Sequence, residues 1–124
     1  DILYLAMPET PGTKNLISRK RLDLLKTSCG IVNIGRQSTI DYDALCEKLR
    51  ANKIAGAILD VFTPEPIELN SKLWEIPNLI ITPHVSSDDG ESYVRLTLEL
   101  FTKNLKLFIS NKPLINQVNK NLGY

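Results

Sequence analysis

Three residues of this chain could do proton chemistry beside a bound anion: Arg36, Glu65 and His84, the last being its only histidine. A guanidinium grips a carboxylate through two parallel N–H···O bonds, and an imidazole exchanges a proton near neutral pH. Together they suit a substrate that carries a carboxylate beside a reacting carbonyl or hydroxyl. A glutamate accepting the second ring N–H of His84 would fix its tautomer and stabilise the imidazolium, giving an acid/base oriented by a third group. Taken singly, each residue has an ordinary reading. Arg36 reads as a loop-bracing arginine, Glu65 as a solvated turn residue between Pro64 and Pro66, His84 as a loop histidine bonded to backbone, and Asp60 as the cap of the turn that follows it. The functional reading therefore depends on the elements that place them.

Four short apolar runs, at 2–5, 31–34, 57–61 and 79–82, are rich in Ile, Leu and Val and lack clean alternation, the pattern of strands buried on both faces. Between the first two, residues 18–26 predict a short helix with Ser18 as N-cap and Leu22 and Leu25 on one face. Between the second and third, Asp41 caps a predicted helix running to about Asn52, with Ala44, Leu45 and Leu49 as its apolar stripe. Strands alternating with helices in this way predict an α/β fold with a parallel sheet. A longer helix is expected over 88–110. Val94, Leu98, Phe101, Leu105 and Phe108 form its stripe, read as core packing, with Asp88, Asp89 and Glu91 in its first turn. Residues 111–124, with Pro113 and five Asn or Gln, predict an extended tail. In open α/β sheets, ligands bind beyond the carboxyl ends of the strands. Arg36, Glu65 and His84 all fall in such loops, which unrelated surface residues would rarely do.

Composition narrows the classes further. With 43% hydrophobic and 23% charged residues over 124 positions, the chain has the makeup of a globular domain and not of a disordered or collagen-like one. Its net charge is +1 and the basic residues form no block, so nothing electrostatic suggests nucleic acid or an anionic membrane as a partner. No apolar run approaches the roughly 20 residues that span a bilayer. Cys29 and Cys46 have neither metal-ligand nor redox-motif spacing, so no metal site is expected, and reduced thiols in a cytoplasmic setting are the expectation. The sequence starts inside an apolar run without an initiating Met, and is read as a C-terminal fragment of a longer protein.

Four motifs then make a resemblance specific: Met-Pro-Glu-Thr-Pro-Gly-Thr at 7–13, Val-Asn-Ile-Gly-Arg at 32–36, Leu-Asp-Val-Phe-Thr-Pro-Glu-Pro at 59–66 and Ile-Thr-Pro-His at 81–84. In order and spacing they resemble the C-terminal part of the D-isomer-specific 2-hydroxyacid dehydrogenases, a family that includes glyoxylate/hydroxypyruvate reductases and phosphoglycerate dehydrogenase. The resemblance implies the C-terminal half of a Rossmann-type parallel sheet with flanking helices, followed by a long C-terminal helix. Residues 1–110 would be part of a dinucleotide-binding domain and 111–124 a tail returning to a substrate domain. It implies reversible reduction of a small 2-oxo acid to the D-2-hydroxy acid with NAD or NADP, in a homodimer. By motif, Arg36 resembles the arginine that holds the substrate carboxylate, His84 the acid/base and Glu65 its carboxylate partner. On the cofactor side, Asp60 matches a position near the nicotinamide carboxamide and Pro8 and Thr13 the adenosine and pyrophosphate side. Ile34, Gly35 and Ser86 would touch the cofactor through backbone, with Arg36 and His84 beside it. The same fold also serves NAD(H)-sensing, partner-binding corepressors in that family, a second reading of a different class.

The sequence departs from the family pattern at three places. Gln37 stands where the family usually has Gly after the arginine, which implies a turn of different shape or backbone angle. Val85-Ser86-Ser87 replaces a small, glycine-containing stretch after the histidine. There is also no Gly-x-Gly-x-x-Gly with a following acidic residue, the elements that hold the pyrophosphate and read the ribose. The 124 residues alone are therefore expected to bind dinucleotide poorly and to turn over nothing.

Overall fold

The computed structural model describes residues 1–124. Its elements follow one another as β1 (Ile2–Leu5), α1 (Arg19–Leu22), β2 (Gly30–Asn33), a 3₁₀ turn (Gln37–Thr39), α2 (Tyr42–Arg50), β3 (Gly56–Leu59), a 3₁₀ turn (Lys72–Glu75), β4 (Leu79–Ile81) and α3 (Tyr93–Ile109). The four strands lie in the order β1-β2-β3-β4 and every neighbouring pair is parallel. Four apolar runs punctuated by helical segments have thus produced the expected parallel α/β sheet. Two compact units result, Asp1–Ser86 and Ser87–Tyr124. No helix is long and apolar enough to cross a membrane.

The core of the first unit gathers on one face of the sheet. Leu5, Ile31, Ala57 and Leu59 point into it and meet Leu22 of α1 and Ala44, Leu45 and Leu49 of α2. Leu45 and Leu49 are wholly buried, and burial of such a side chain stabilises by about 1.5–3 kcal/mol. The opposite face differs from the sequence expectation. Tyr4, Val32, Ile58 and Ile80 stand side by side in register, and Tyr4, Ile58 and Ile80 are exposed, so the strands bury one face within this unit and not two.

Helix ends also correct the sequence reading. Asp41 does cap α2, its side chain accepting from the Ala44 N–H at 2.9 Å. The helix stops at Arg50 because Asn52 takes the left-handed backbone (φ 52°), with Asn52 N–H bonded to Leu49 and Lys53 N–H to Lys48. α1 is a single turn, shorter than 18–26, and Ser18 makes no side-chain cap bond. Its end is tightened by Leu24 N–H to Arg21 and Leu25 N–H to Leu22. In the second unit, α3 starts at Tyr93. Asp89 accepts from the Glu91 and Ser92 N–H groups and the Ser92 hydroxyl, a local turn that holds 89–92 out of the helix. The acidic residues therefore precede the helix instead of filling its first turn. None of Val94, Leu98, Phe101, Leu105 or Phe108 is buried, so the stripe read as core packing is exposed in this chain. Residues after Ile109 carry no helix or strand.

Candidate active site

The loop after β2 is built around Asn33, a polar residue with no exposed surface at the end of an apolar strand. Its Oδ1 accepts from Gly35 N–H (3.1 Å), and its Nδ2 donates to the Arg36 carbonyl (3.1 Å) and the Tyr42 hydroxyl (3.3 Å). Thr39 Oγ1 donates to the same Arg36 carbonyl at 2.7 Å. Gly35 is required by close approach, since a Cβ there would lie 2.6 Å from the Met7 carbonyl oxygen. The Arg36 backbone is thereby pinned between two strand ends. Its exposed guanidinium makes one hydrogen bond within the chain, Nη1 to the Gly35 carbonyl at 2.7 Å, leaving most of its donors for an outside anion. Gln37 opens a 3₁₀ turn and is not left-handed, so glycine's conformational freedom is not needed at this position.

The loops after β3 and β4 hold each other. Glu65 Oε1 accepts from Phe62 N–H (2.7 Å), and Oε2 lies 2.8 Å from His84 Nδ1. The bond to His84, then that from Phe62, holds the Glu65 carboxyl below the usual glutamate range, and the Arg36 charge acts in the same direction. Glu65 is thus an acceptor at neutral pH, which makes His84 Nδ1 the donor and leaves Nε2 as the atom that gains or loses a proton. Around the pair, Phe62, Trp74, Ile81 and Pro83 line a cleft of about 410 Å³.

Behind His84 sits Asp60, 1% exposed. Its Oδ1 accepts from Thr82 Oγ1 (2.5 Å) and Val85 N–H (2.9 Å), and its Oδ2 accepts from Ser86 N–H (2.9 Å). Burial works against the carboxylate, yet these donors outweigh it and hold the Asp60 carboxyl well below its ordinary range. The bonds bracket His84, whose backbone is left-handed at φ 58°, an uncommon state kept where surroundings over-determine it. The turn-cap reading of Asp60 is thereby corrected, because its side chain bonds the loop after β4, 22–26 residues away, and not the turn that follows it.

Of the residues singled out from sequence, Glu65 and His84 touch, Arg36 lies close enough to act electrostatically on Glu65, and Asp60 and Ser86 are bonded to each other. Ile34 and Gly35 occupy the β2 end. Pro8 and Thr13 form a turn of their own, Thr13 Oγ1 donating to the Pro8 carbonyl at 2.8 Å, and no hydrogen bond ties that turn to His84. It is stitched instead to the loop after β2, through Ser38 Oγ to Glu9 (2.5 Å) and Asn15 N–H to the Ser38 carbonyl (2.7 Å). Asn33 and Tyr42 were not legible as site residues, although an asparagine closing an apolar strand run was a usable signal. As a donor set, an exposed guanidinium and a free imidazole nitrogen at parallel strand ends fit the nicotinamide end of a dinucleotide and an anionic substrate. The phosphate end has no glycine-rich turn among these residues.

Comparison with known proteins gives the family. Residues 1–86 match the family model described as D-isomer specific 2-hydroxyacid dehydrogenase, NAD binding domain. Glyoxylate reductase of Aeropyrum pernix is 37% identical over 120 residues, covering 97% of this chain and 36% of that protein. D-3-phosphoglycerate dehydrogenase of Escherichia coli K12 is 33% identical over 123 residues, covering 96% of this chain and 30% of that protein. A D-isomer specific 2-hydroxyacid dehydrogenase from Xanthobacter autotrophicus Py2, solved with NADPH and MES, superposes with a TM-score of 0.91 at 33% identity, over 99% of this chain and half of that one. The chain thus spans about a third of the length of these two sequence relatives.

Proposed function

Because the chain belongs to the D-isomer specific 2-hydroxyacid dehydrogenases, as part of their NAD-binding domain, we propose that it carries the acid/base and carboxylate-binding groups of an enzyme that interconverts a small 2-oxo acid and the D-2-hydroxy acid. The observation that carries this reading is the Glu65–His84 pair at 2.8 Å on the strand edge that also presents Arg36. When bound, the nicotinamide supplies the hydride that no side chain can provide. The groups that would handle the proton and the substrate carboxylate lie on this chain. Arg36 grips the substrate carboxylate with its two-pronged donor set and so orients the adjacent carbonyl. His84 gives its Nε2 proton to the carbonyl oxygen during reduction and takes it back during oxidation. Glu65 holds Nδ1–H, so the ring changes charge at Nε2 alone. Ile34, Gly35 and Ser86 would line the dinucleotide through backbone, with Pro8 and Thr13 toward its adenosine and pyrophosphate side.

Reduction on this account needs protonated His84 and oxidation needs it neutral, so kcat/KM falls at high pH for the first and at low pH for the second. Measuring both directions in the complete polypeptide checks this, and parallel limbs would refute it. Arg36→Lys should raise KM for the 2-oxo acid by about tenfold or more, because an ammonium cannot reproduce the bidentate fork. An unchanged KM would remove Arg36 from the site.

A further inference from the structure

We infer that Tyr42 is a positioning residue: its hydroxyl is the midpoint of an unbroken hydrogen-bond path joining the Arg36 loop to the Glu65–His84 pair, so that carboxylate grip and proton donor are set together. The inference rests on the roles proposed above for Arg36, Glu65 and His84. The path starts at Asn33, whose Nδ2 donates one hydrogen to the Arg36 carbonyl (3.1 Å) and the other to Tyr42 Oη (3.3 Å). Tyr42 O–H then donates to the Val61 carbonyl at 2.8 Å. That carbonyl and the Phe62 N–H belong to one peptide group, and Phe62 N–H donates to Glu65 Oε1 at 2.7 Å. The other carboxylate oxygen receives His84 Nδ1–H at 2.8 Å.

From Asn33 to Glu65 the donors all run in one direction, so each bond polarises the next. Tyr42 pulling on the Val61 carbonyl makes Phe62 N–H a stronger donor to Glu65. The Tyr42 hydroxyl both accepts from Asn33 and donates to Val61, whereas a phenylalanine ring of nearly the same shape does neither. Tyr42 is built for a fixed position. Asp41 caps the helix of which Tyr42 is the first residue, and its ring stands edge-on to Phe62, with centroids 6.3 Å apart at 79°. Burial pushes its ionisation above the ordinary phenol range, which keeps it a donor.

The test is Tyr42→Phe in the complete polypeptide, alone and combined with Glu65→Gln. Alone, it should lower kcat/KM for 2-oxo acid reduction by about tenfold, through both a higher KM and a lower kcat. With Glu65→Gln already present it should still raise KM but lower kcat no further, because the path to His84 is already cut. The same kcat loss in both backgrounds, or a lower melting temperature with KM and kcat unchanged, would overturn the inference. Nuclear magnetic resonance separates this from failure of the underlying reading. If the wild type reduced no 2-oxo acid, the proposed roles would fall, while the path itself is read from the Phe62 amide proton. An upfield move in Tyr42→Phe supports the path, and an unmoved resonance refutes it.

Discussion

Replacing His84 by asparagine in the complete polypeptide should lower kcat for 2-oxo acid reduction by about 100- to 10,000-fold, the range ascribed to a positioned acid/base, while NADH binding persists. Asparagine is the informative substitution because it tolerates the left-handed backbone that position 84 adopts. The variant keeps an amide able to donate toward Glu65 and loses the Nε2 atom that would exchange the proton. Residual activity should also lose the pH limb set by the imidazole. Steady-state rates across pH, with NADH binding followed by fluorescence, check both halves. Reduction at the wild-type rate over the whole pH range would strip His84 of its role.

The second large effect is on stability. Asp60→Asn should destabilise the protein by about 3 kcal/mol and release protection of the Val85 and Ser86 amides, because hydrogen bonds to a buried charge are worth about 1.5–3 kcal/mol each. Asparagine turns one acceptor oxygen into an NH₂ group, which would face the Ser86 N–H donor to donor. The sign with pH follows from the direction of the shift. The folded-state pKa of Asp60 lies below the ordinary 3.8, so its contribution is complete above that value and is lost as pH falls through the folded pKa. Wild type should therefore lose stability below about pH 4 with a component that Asp60→Asn lacks. Denaturant titrations from neutral to acid pH with amide exchange measure this. Equal stabilities at neutral pH would show that Asp60 does not hold the His84 loop.

Much of this was legible in the sequence, for identifiable reasons. Branched apolar runs separated by one-turn and nine-residue helical segments force a parallel sheet, and Asp41 marked the start of α2 as Asn52 could have marked its end. Arg36, Glu65 and His84 were placed because loops at carboxyl strand ends converge. What was not legible depends on contacts distant in sequence. The burial of Asn33, the reach of Tyr42 to Val61 and the commitment of Asp60 to the loop 25 residues away come from packing, which periodicity does not encode. Asp89 competed with the helix for backbone N–H groups, and so residues 89–92 left the long helical pattern. The apolar sheet row Tyr4–Val32–Ile58–Ile80, exposed at all but the half-buried Val32, explains why strand runs read as buried on both faces while Asp1–Ser86 buries only one.

The most direct measurement is oxidation of NADH and NADPH by the complete polypeptide against glyoxylate, hydroxypyruvate and pyruvate, with the His84→Asn variant run in parallel. Turnover of at least one of these acids that collapses in the variant is the result this account predicts. Saturable NADH binding with no turnover of any 2-oxo acid would contradict it and favour a dinucleotide-sensing, partner-binding role for the same fold.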